Sequence, residues 1–148
     1  MTTHPQRCWD DVAVGEKLTP LAFPLTVYRL VMAAGANRDF NAIHHNANVA
    51  RSTGAPDIYA NNMLLQGMWE RVVRDYIGLQ GVIRNLKGFR MRSFNTPGDT
   101  LRVFAEVSRT WLLDGEGWIE LKLWTENGRG ISVGPGSVAA TLPLRARN

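Results

Sequence analysis

Two turn dipeptides divide the C-terminal third of the chain. Asp114-Gly115 and Asn127-Gly128 each separate runs in which apolar and polar residues alternate. Such dipeptides accept the positive φ angles of tight hairpins, and alternation with period two is typical of strands that bury one face. The apolar positions are Leu101, Val103, Ala105 and Val107, then Ile119, Leu121 and Leu123, and finally Val138, Ala140 and Leu142. We therefore predict antiparallel strands with one buried face.

Two further strands are expected upstream of these. Residues 86 to 94 alternate as well, with Arg90 and Arg92 on one side, and a turn at residues 96–99 follows. Hairpin order would make this strand pair with the next one, which gives a meander of four strands. A fifth, irregular strand ending at Thr26 is expected at a sheet edge, because its Pro20 and Pro24 cannot donate hydrogen bonds within a sheet.

The long helix is predicted at residues 60 to 77, where Gly78 ends the pattern. A shorter helix is expected from Val27 to Gly35, with Thr26 as N-cap, and a polar loop then runs to about Asp57. The expected buried stripe of the long helix comprises Ala60, Met63, Leu64, Gly67, Met68, Val72 and Tyr76. This order of elements predicts an α+β hotdog fold, in which an antiparallel sheet wraps around a long central helix. Outward-facing Phe104, Trp118 and Trp124 lead us to expect association.

Length and composition narrow the class of protein. The 148 residues carry 17 Lys+Arg against 13 Asp+Glu and a single cysteine, Cys8. We expect one domain over residues 1–148, with residues 1–8 as a loose arm. A single cysteine cannot form a disulfide within the chain, and no apolar run suits a signal peptide or a membrane span, so we expect a cytoplasmic protein. Arg84, Lys87, Arg90 and Arg92 are basic, but they fall in a regular strand outside any nucleic-acid-binding module, so we expect no nucleic acid partner.

The polar segment of residues 38 to 48 holds the chemistry-bearing side chains. Adjacent His44 and His45 would point apart, and no third nitrogen or sulfur ligand is near, so we expect no metal. If Phe40 and Ile43 point into the core, then Asp39, Asn41 and His44 can converge on a cleft. A carboxylate and an imidazole on the same water molecule could add water to an activated alkene. From the residues alone, a second interpretation is equally open: Asp39 and His44 could form a structural pair that only fixes the loop.

This segment resembles the hydratase motif of the MaoC-like family, the R-specific 2-enoyl-CoA hydratases. The motif reads Asp, any residue, Asn, usually Pro, an aliphatic residue, His, any residue, then Asp or Asn. Asp39, Asn41, Ile43, His44 and Asn46 match it, with Ala42 in place of the usual Pro. Residues 9–16 and 94–99 are also similar to the family, so that the resemblance covers most of the chain.

The resemblance implies syn hydration of a trans-2-enoyl-CoA thioester, or the reverse dehydration. It implies His44 as the base toward water, Asp39 as the acid toward the α carbon and Asn41 as an orienting residue. Coenzyme A would be part of the substrate, with no separate cofactor. The family's His-Gly before the long helix is replaced here by Asn61-Asn62, which puts the oxyanion donor in doubt. Asn61, Asn62 and Met63 are candidate substrate-binding residues, and Arg90 and Arg92 are candidates for the CoA phosphates.

Residues 54–62 are similar to the small subunits of heteromeric hydratases that act on steroid side-chain CoA thioesters. That similarity implies a bulky polycyclic acyl group and a hetero-oligomer. For the chain as a whole we expect either a homodimer or a heteromer with a second MaoC-like chain. Two alternatives stay open. The chain could be a catalytically silent subunit that binds a partner hydratase, or a 3-hydroxyacyl carrier-protein dehydratase.

Overall fold

A computed structural model describes residues 6–146, and its centre is one curled antiparallel sheet of five strands. These are β1 (Leu21–Pro24), β2 (Val82–Lys87), β3 (Thr100–Leu113), β4 (Glu116–Asn127) and β5 (Gly130–Leu142). The helices are α1 (Val27–Ala36), α2 (Ala47–Ser52) and α3 (Asn62–Ile77), with single 3₁₀ turns at Trp9–Asp11 and Ala42–His44. The predicted α+β architecture and the number of strands are confirmed. No helix within residues 6–146 is long and apolar enough to cross a membrane.

The β3–β4–β5 meander buries the face that the alternation predicts. All ten apolar residues named for these strands are buried. At the first turn, Asp114 and Gly115 have φ angles of 52° and 78°, as a tight hairpin requires. The strands therefore supply one side of the core, and α3 packs against that side with its own apolar face.

Strand β2 departs from the predicted meander, because it pairs with β5 and not with β3. The sheet order is β1-β3-β4-β5-β2. The predicted strand at residues 86–94 was also wrong in extent: β2 ends at Lys87, and Gly88 follows with a φ of 68°. Arg90 and Arg92 therefore lie beyond the strand, where only Met91 forms an isolated bridge, to Val133. The connection from β2 to β3 is too long for a tight hairpin, which frees β3 to pair with β1.

Helix α3 begins after Asn61, whose side chain caps it, and ends at Gly78 with a φ of 71°. Its buried face is formed by Leu65, Met68, Trp69, Val72, Val73 and Ile77. The predicted stripe was therefore rotated, and Met63 and Gly67 are exposed. The reason is that the first half of α3 is apolar on most sides, so helical periodicity alone does not select the buried face.

The segment before α3 is more ordered than the predicted polar loop. Thr26 caps α1 as expected, although the helix continues past Gly35 to Ala36. The 3₁₀ turn at residues 42–44 and helix α2 then occupy part of the region predicted as loop. Asn41 and Asn46 supply the N-caps of these two elements, which explains how short helices form there.

The described part of the N-terminal segment, from Gln6 onward, packs against the rest of the protein. Residues 1 to 5 of the predicted arm lie outside the described residues. Gln6 donates a hydrogen bond to Ile77 O, and Arg7 pairs with Glu16 and stacks over the Tyr76 ring. Residues 6 to 8 are therefore not loose. Burial of Tyr76 and its hydrogen bond to Glu16 raise the pKa of its hydroxyl, which stays neutral and keeps donating.

The outer face of the sheet carries cross-strand aromatic pairs. Phe104 stacks on Trp124 with ring centroids 5.4 Å apart, and Trp111 stacks on Trp118 at 5.7 Å. These rings are half-buried by one another and their neighbours. Stacking therefore lowers the cost of exposing them, and they are weaker evidence for association than their number suggests.

Candidate active site

An acid–base pair lies between the end of α1 and the start of α3. His44 Nε2 lies 3.0 Å from Asp39 Oδ2, and the side chains expose 6% and 36% of their surface. Arg38, directly before the acid, has a φ of 56°. This left-handed residue turns the chain back, so that Asp39 N–H donates to Ala34 O at 2.9 Å. The backbone thereby aims the carboxylate toward the imidazole.

The tautomer of His44 follows from its second contact. His44 Nδ1 lies 2.7 Å from the carbonyl oxygen of Tyr59. A carbonyl can only accept, so Nδ1 carries a hydrogen and Nε2 is the nitrogen left for proton transfer. Nε2 lies within hydrogen-bond distance of Asp39 Oδ2, so a proton can pass between these two atoms. Such an arrangement can accept a proton at one atom and deliver one from the other.

The neighbours of the pair have other roles. Asn41 Oδ1 accepts from Ile43 N at 3.2 Å, and no hydrogen bond between residues 6 and 146 joins its side chain to Asp39 or His44. Phe40 is 75% exposed, so the expectation that it points into the core was wrong. The 3₁₀ turn explains this, because it directs Ile43 and His44 inward in its place. His45 is exposed.

Asn61 connects the end of α1 to the start of α3. Its Oδ1 accepts from Leu64 N at 2.9 Å and from Asn37 Nδ2 at 3.4 Å. The side chain is buried, with 4% of the residue exposed, and its Nδ2 has no hydrogen-bond partner. Asn62 is the exposed first residue of the helix. The two asparagines therefore differ sharply in environment.

A groove of about 460 Å³ opens between α1, β1 and α3. Met63, Leu64, Gly67 and Met68 line it from α3, and Asn37 lines the end near Asn61. Its wall is mainly apolar, which suits an acyl chain. Met63 therefore lies where a substrate-binding residue is expected, although the helix turns it to the surface.

The basic candidates lie elsewhere. Arg92 Nε donates to Gly134 O, and the Arg90 carbonyl accepts from Gly134 N. Arg84 is engaged with Glu116. In the described part of the chain no ion pair links Arg90 or Arg92 to Asp39. Their assignment to CoA phosphates stays a prediction. No group of three His, Cys, Asp or Glu side chains in residues 6–146 is placed to hold a metal ion.

Sequence reasoning missed three residues that organise the site. Arg38 supplies the positive φ, Tyr59 supplies the carbonyl that orients His44, and Asn37 bonds to Asn61. The contributions of Arg38 and Tyr59 come from the backbone, so side-chain chemistry gives no signal for them. Asn37 could have been noticed as a helix C-cap, a position at which Asn is common.

The chain is similar to known hydratases in sequence and in structure. No protein-family model matches it. It is 29% identical over 119 residues to the 3-oxo-4,17-pregnadiene-20-carboxyl-CoA hydratase beta subunit of Mycobacterium tuberculosis, covering 80% of this chain and 84% of that protein. A chain of the ChsH1-ChsH2 complex from the same organism superposes with a TM-score of 0.79 at 28% identity, covering 88% of this chain and 98% of that one.

A second solved structure shows how widely the fold is shared. The R-hydratase PhaJ1 from Pseudomonas aeruginosa superposes with a TM-score of 0.81 at 19% identity, covering 93% of this chain and 86% of that one. At this identity the likeness shows the fold alone. The solved structures confirm the predicted hotdog fold, and the similarity to the mycobacterial hydratase subunit confirms the predicted hydratase class.

Proposed function

We propose that this protein catalyses the R-specific syn hydration of trans-2-enoyl-CoA thioesters, and the reverse dehydration, through Asp39 and His44. The observation that carries the proposal is the 3.0 Å contact between His44 Nε2 and Asp39 Oδ2. The Tyr59 carbonyl on Nδ1 leaves Nε2 for chemistry. The Asp39 carboxylate is one-third exposed, so it stays accessible to water and substrate, whereas a pair that only pins the loop could be closed off from both.

The reaction begins with a proton on Asp39 and with His44 neutral. A water molecule bound beside the pair donates one hydrogen to Nε2 as its oxygen attacks C3. The π electrons of the C2–C3 bond move toward the thioester carbonyl and form an enolate. Asp39 then protonates C2 as the enolate collapses. The proton that Nε2 gained returns to Oδ2 across the 3.0 Å contact, which restores the starting state.

The groove supports a substrate with a large acyl part. The mycobacterial relative is named for a pregnadiene carboxyl-CoA, which is a polycyclic acyl thioester. Met63, Leu64 and Met68 offer apolar contacts for such a group. Trp69 is not among these contacts, because it is fully buried in the core. Exposed Arg90 and Arg92 are the proposed phosphate contacts for coenzyme A, which enters as part of the substrate.

The surface near the pair supports association with a second MaoC-like chain. Helix α1 buries Leu30 and Ala34 but exposes Val27, Tyr28 and Met32. Phe40 and Met63, 75% and 59% exposed, are the corresponding apolar residues around the acid and the groove. Apolar side chains of this size in one region are costly in water. A chain of the relative's kind, found in a ChsH1-ChsH2 complex, would cover them and enclose the groove.

The experiment measures loss of the enoyl thioester absorbance for crotonyl-CoA and for a polycyclic enoyl-CoA, with chiral analysis of the 3-hydroxyacyl product. The protein is assayed alone and after co-expression with a second MaoC-like chain. Asp39→Asn is the test variant, and His45→Ala is the matched control on the exposed neighbour. We expect (R)-product from wild type and the control, a large loss in Asp39→Asn, and faster turnover of the polycyclic substrate.

Each alternative predicts a different pattern. A catalytically silent subunit would leave the rate of the co-expressed complex unchanged in Asp39→Asn. A carrier-protein dehydratase would turn over the carrier-bound 3-hydroxyacyl chain much faster than the CoA thioester. Formation of the (S)-product would contradict the proposed stereochemistry.

A further inference from the structure

Among residues 6–146, the buried side-chain amide nitrogen of Asn61 lacks a hydrogen-bond partner. Its Nδ2 is a donor enclosed by protein, and among the described residues it makes no hydrogen bond. A buried, unsatisfied donor is disfavoured unless the protein uses it, so it calls for a ligand that can accept from it. This group was left unused by the proton transfers described above.

The orientation of that amide is fixed. The backbone N–H of Leu64 donates to Asn61 Oδ1 at 2.9 Å, so exchanging the oxygen and nitrogen of the amide would set two donors against each other. Asn37 Nδ2 is a second donor to the same oxygen at 3.4 Å. The Nδ2 group is therefore held with both hydrogens directed away from these partners.

The position of Asn61 relates it to both members of the pair. His44 is anchored on the carbonyl of Tyr59, two residues before Asn61. On the other side Asn37, two residues before Asp39, bonds to the Asn61 side chain. Asn37 and Leu64, the two residues that donate to Asn61 Oδ1, also line the apolar groove. The free amide thus lies where the groove, the base and the acid segment meet.

The proposed reaction needs a donor at this place. Attack of water on C3 sends electrons to the thioester oxygen, which is attached to C1, the atom next to C2. A donor to that oxygen must therefore lie beside the groups that act on C2 and C3. We propose that Asn61 Nδ2 donates a hydrogen bond to the thioester carbonyl oxygen and stabilises the enolate, aided by the N-terminal dipole of α3. This inference rests on the proposed hydration.

The test uses two variants that keep the helix cap. Asn61→Asp and Asn61→Ser both retain an oxygen that can accept from the helix backbone, but neither has the amide N–H. Because one is charged and the other neutral, a loss common to both is not a charge effect. Asn46→Asp is the matched control, since Asn46 caps α2 in the same way through Asn48 N at 3.0 Å.

We expect kcat to fall about 10²- to 10³-fold in both Asn61 variants, with KM changed far less and the midpoint of urea unfolding unchanged. Asn46→Asp keeps wild-type turnover. A second readout is the absorption of a bound aryl-propenoyl-CoA, which shifts to longer wavelength when its carbonyl is polarised. We expect the shift in wild type and in Asp39→Asn, and its loss in both Asn61 variants.

The outcomes separate the inference from the proposed function. If wild type hydrates enoyl-CoA and folded Asn61→Ser turns over at nearly the same rate, the inference is overturned while the function stands. If wild type has no turnover, the proposed function fails, and the spectral shift alone decides the inference. A wild-type spectrum without the shift, or a shift that persists in both variants, also overturns it.

Discussion

Asp39 and His44 meet at 3.0 Å although only the histidine is buried. The imidazole is fixed from behind by the Tyr59 carbonyl, whereas the carboxylate is held by its backbone and remains accessible. In the proposed hydration, the buried and fixed imidazole suits the group that accepts a proton, and the more exposed carboxyl suits the group that protonates carbon.

The pair is expected to act as one unit. Asp39→Asn and His44→Ala should each lower kcat about 10²- to 10⁴-fold, because each removes one proton transfer. The double variant should be no slower than the slower of the two single variants, since neither group works without the other. Single-turnover rates of the three variants and of His45→Ala measure this. Losses that multiply in the double variant would show that the two residues act independently.

The backbone of Arg38 is expected to be strained, and this strained turn positions Asp39. Its φ of 56° costs a non-glycine residue about 1 kcal/mol, so Arg38→Gly should raise the free energy of unfolding by up to that amount. A β-branched Arg38→Val should lower both stability and kcat, because the turn that aims Asp39 would shift. Urea unfolding and the hydration assay give the two quantities.

Asp114 provides the control for this backbone effect. It has a φ of 52° in the β3–β4 hairpin, away from the acid–base pair. Asp114→Val should destabilise the protein to a similar degree and leave kcat unchanged. If Arg38→Gly folds normally and loses activity, the Arg38 side chain has a role that its backbone does not explain.

The sequence predicts those parts of the structure that depend on local patterns. Alternation sets the buried face of β3, and the matched motif brings Asp39 to His44. Prediction from the sequence fails where contacts between distant segments determine the structure. The partner of β2 is β5 because of contacts 50 or more residues away in the chain, and no local pattern encodes them.

The rotated face of α3 has the same origin. Met63 and Trp69 are both apolar, and only the sheet decides that Trp69 is enclosed while Met63 lines the groove. Likewise, the motif identifies His44, but the carbonyl that sets its tautomer belongs to Tyr59, fifteen residues away. Sequence reasoning finds candidate side chains more readily than the backbone groups that orient them.

Asp99 is expected to make stability depend on acid pH. Burial opposes its ionisation, but hydrogen bonds from Arg129 and Thr96 outweigh that effect and lower the pKa of its carboxyl. The stabilisation is therefore complete above the unfolded-state pKa of about 3.9 and is lost as the pH falls through the lower folded-state value. Asp99→Asn should cost about 1 kcal/mol at pH 7, because Arg129 is largely exposed.

The measurement is how the difference in free energy of unfolding between wild type and Asp99→Asn depends on pH. Urea unfolding of wild type and Asp99→Asn between pH 7 and about pH 2.5 should give free energies that converge at the acid end. Arg129→Gln should behave in the same way, since it removes the other half of the pair. If the difference in free energy of unfolding between wild type and Asp99→Asn stays constant across this pH range, then Asp99 stabilises the protein through the geometry of the turn and not through its charge.

The hydrogen bond between Trp69 and Thr125 is expected to fix α3 on the sheet. Trp69 Nε1 donates to Thr125 Oγ1 at 2.7 Å, and both residues are buried. Thr125→Val keeps the shape but leaves the indole N–H unsatisfied, which should lower the free energy of unfolding by about 1 to 3 kcal/mol. Thr125→Ser keeps the acceptor and should lose less. Because the contact lies along α3 and not at Asn61, kcat of the folded variants should be unchanged. A Thr125→Val protein as stable as wild type would mean that the indole finds another acceptor, and a selective loss of kcat would mean that this contact also positions the start of the helix.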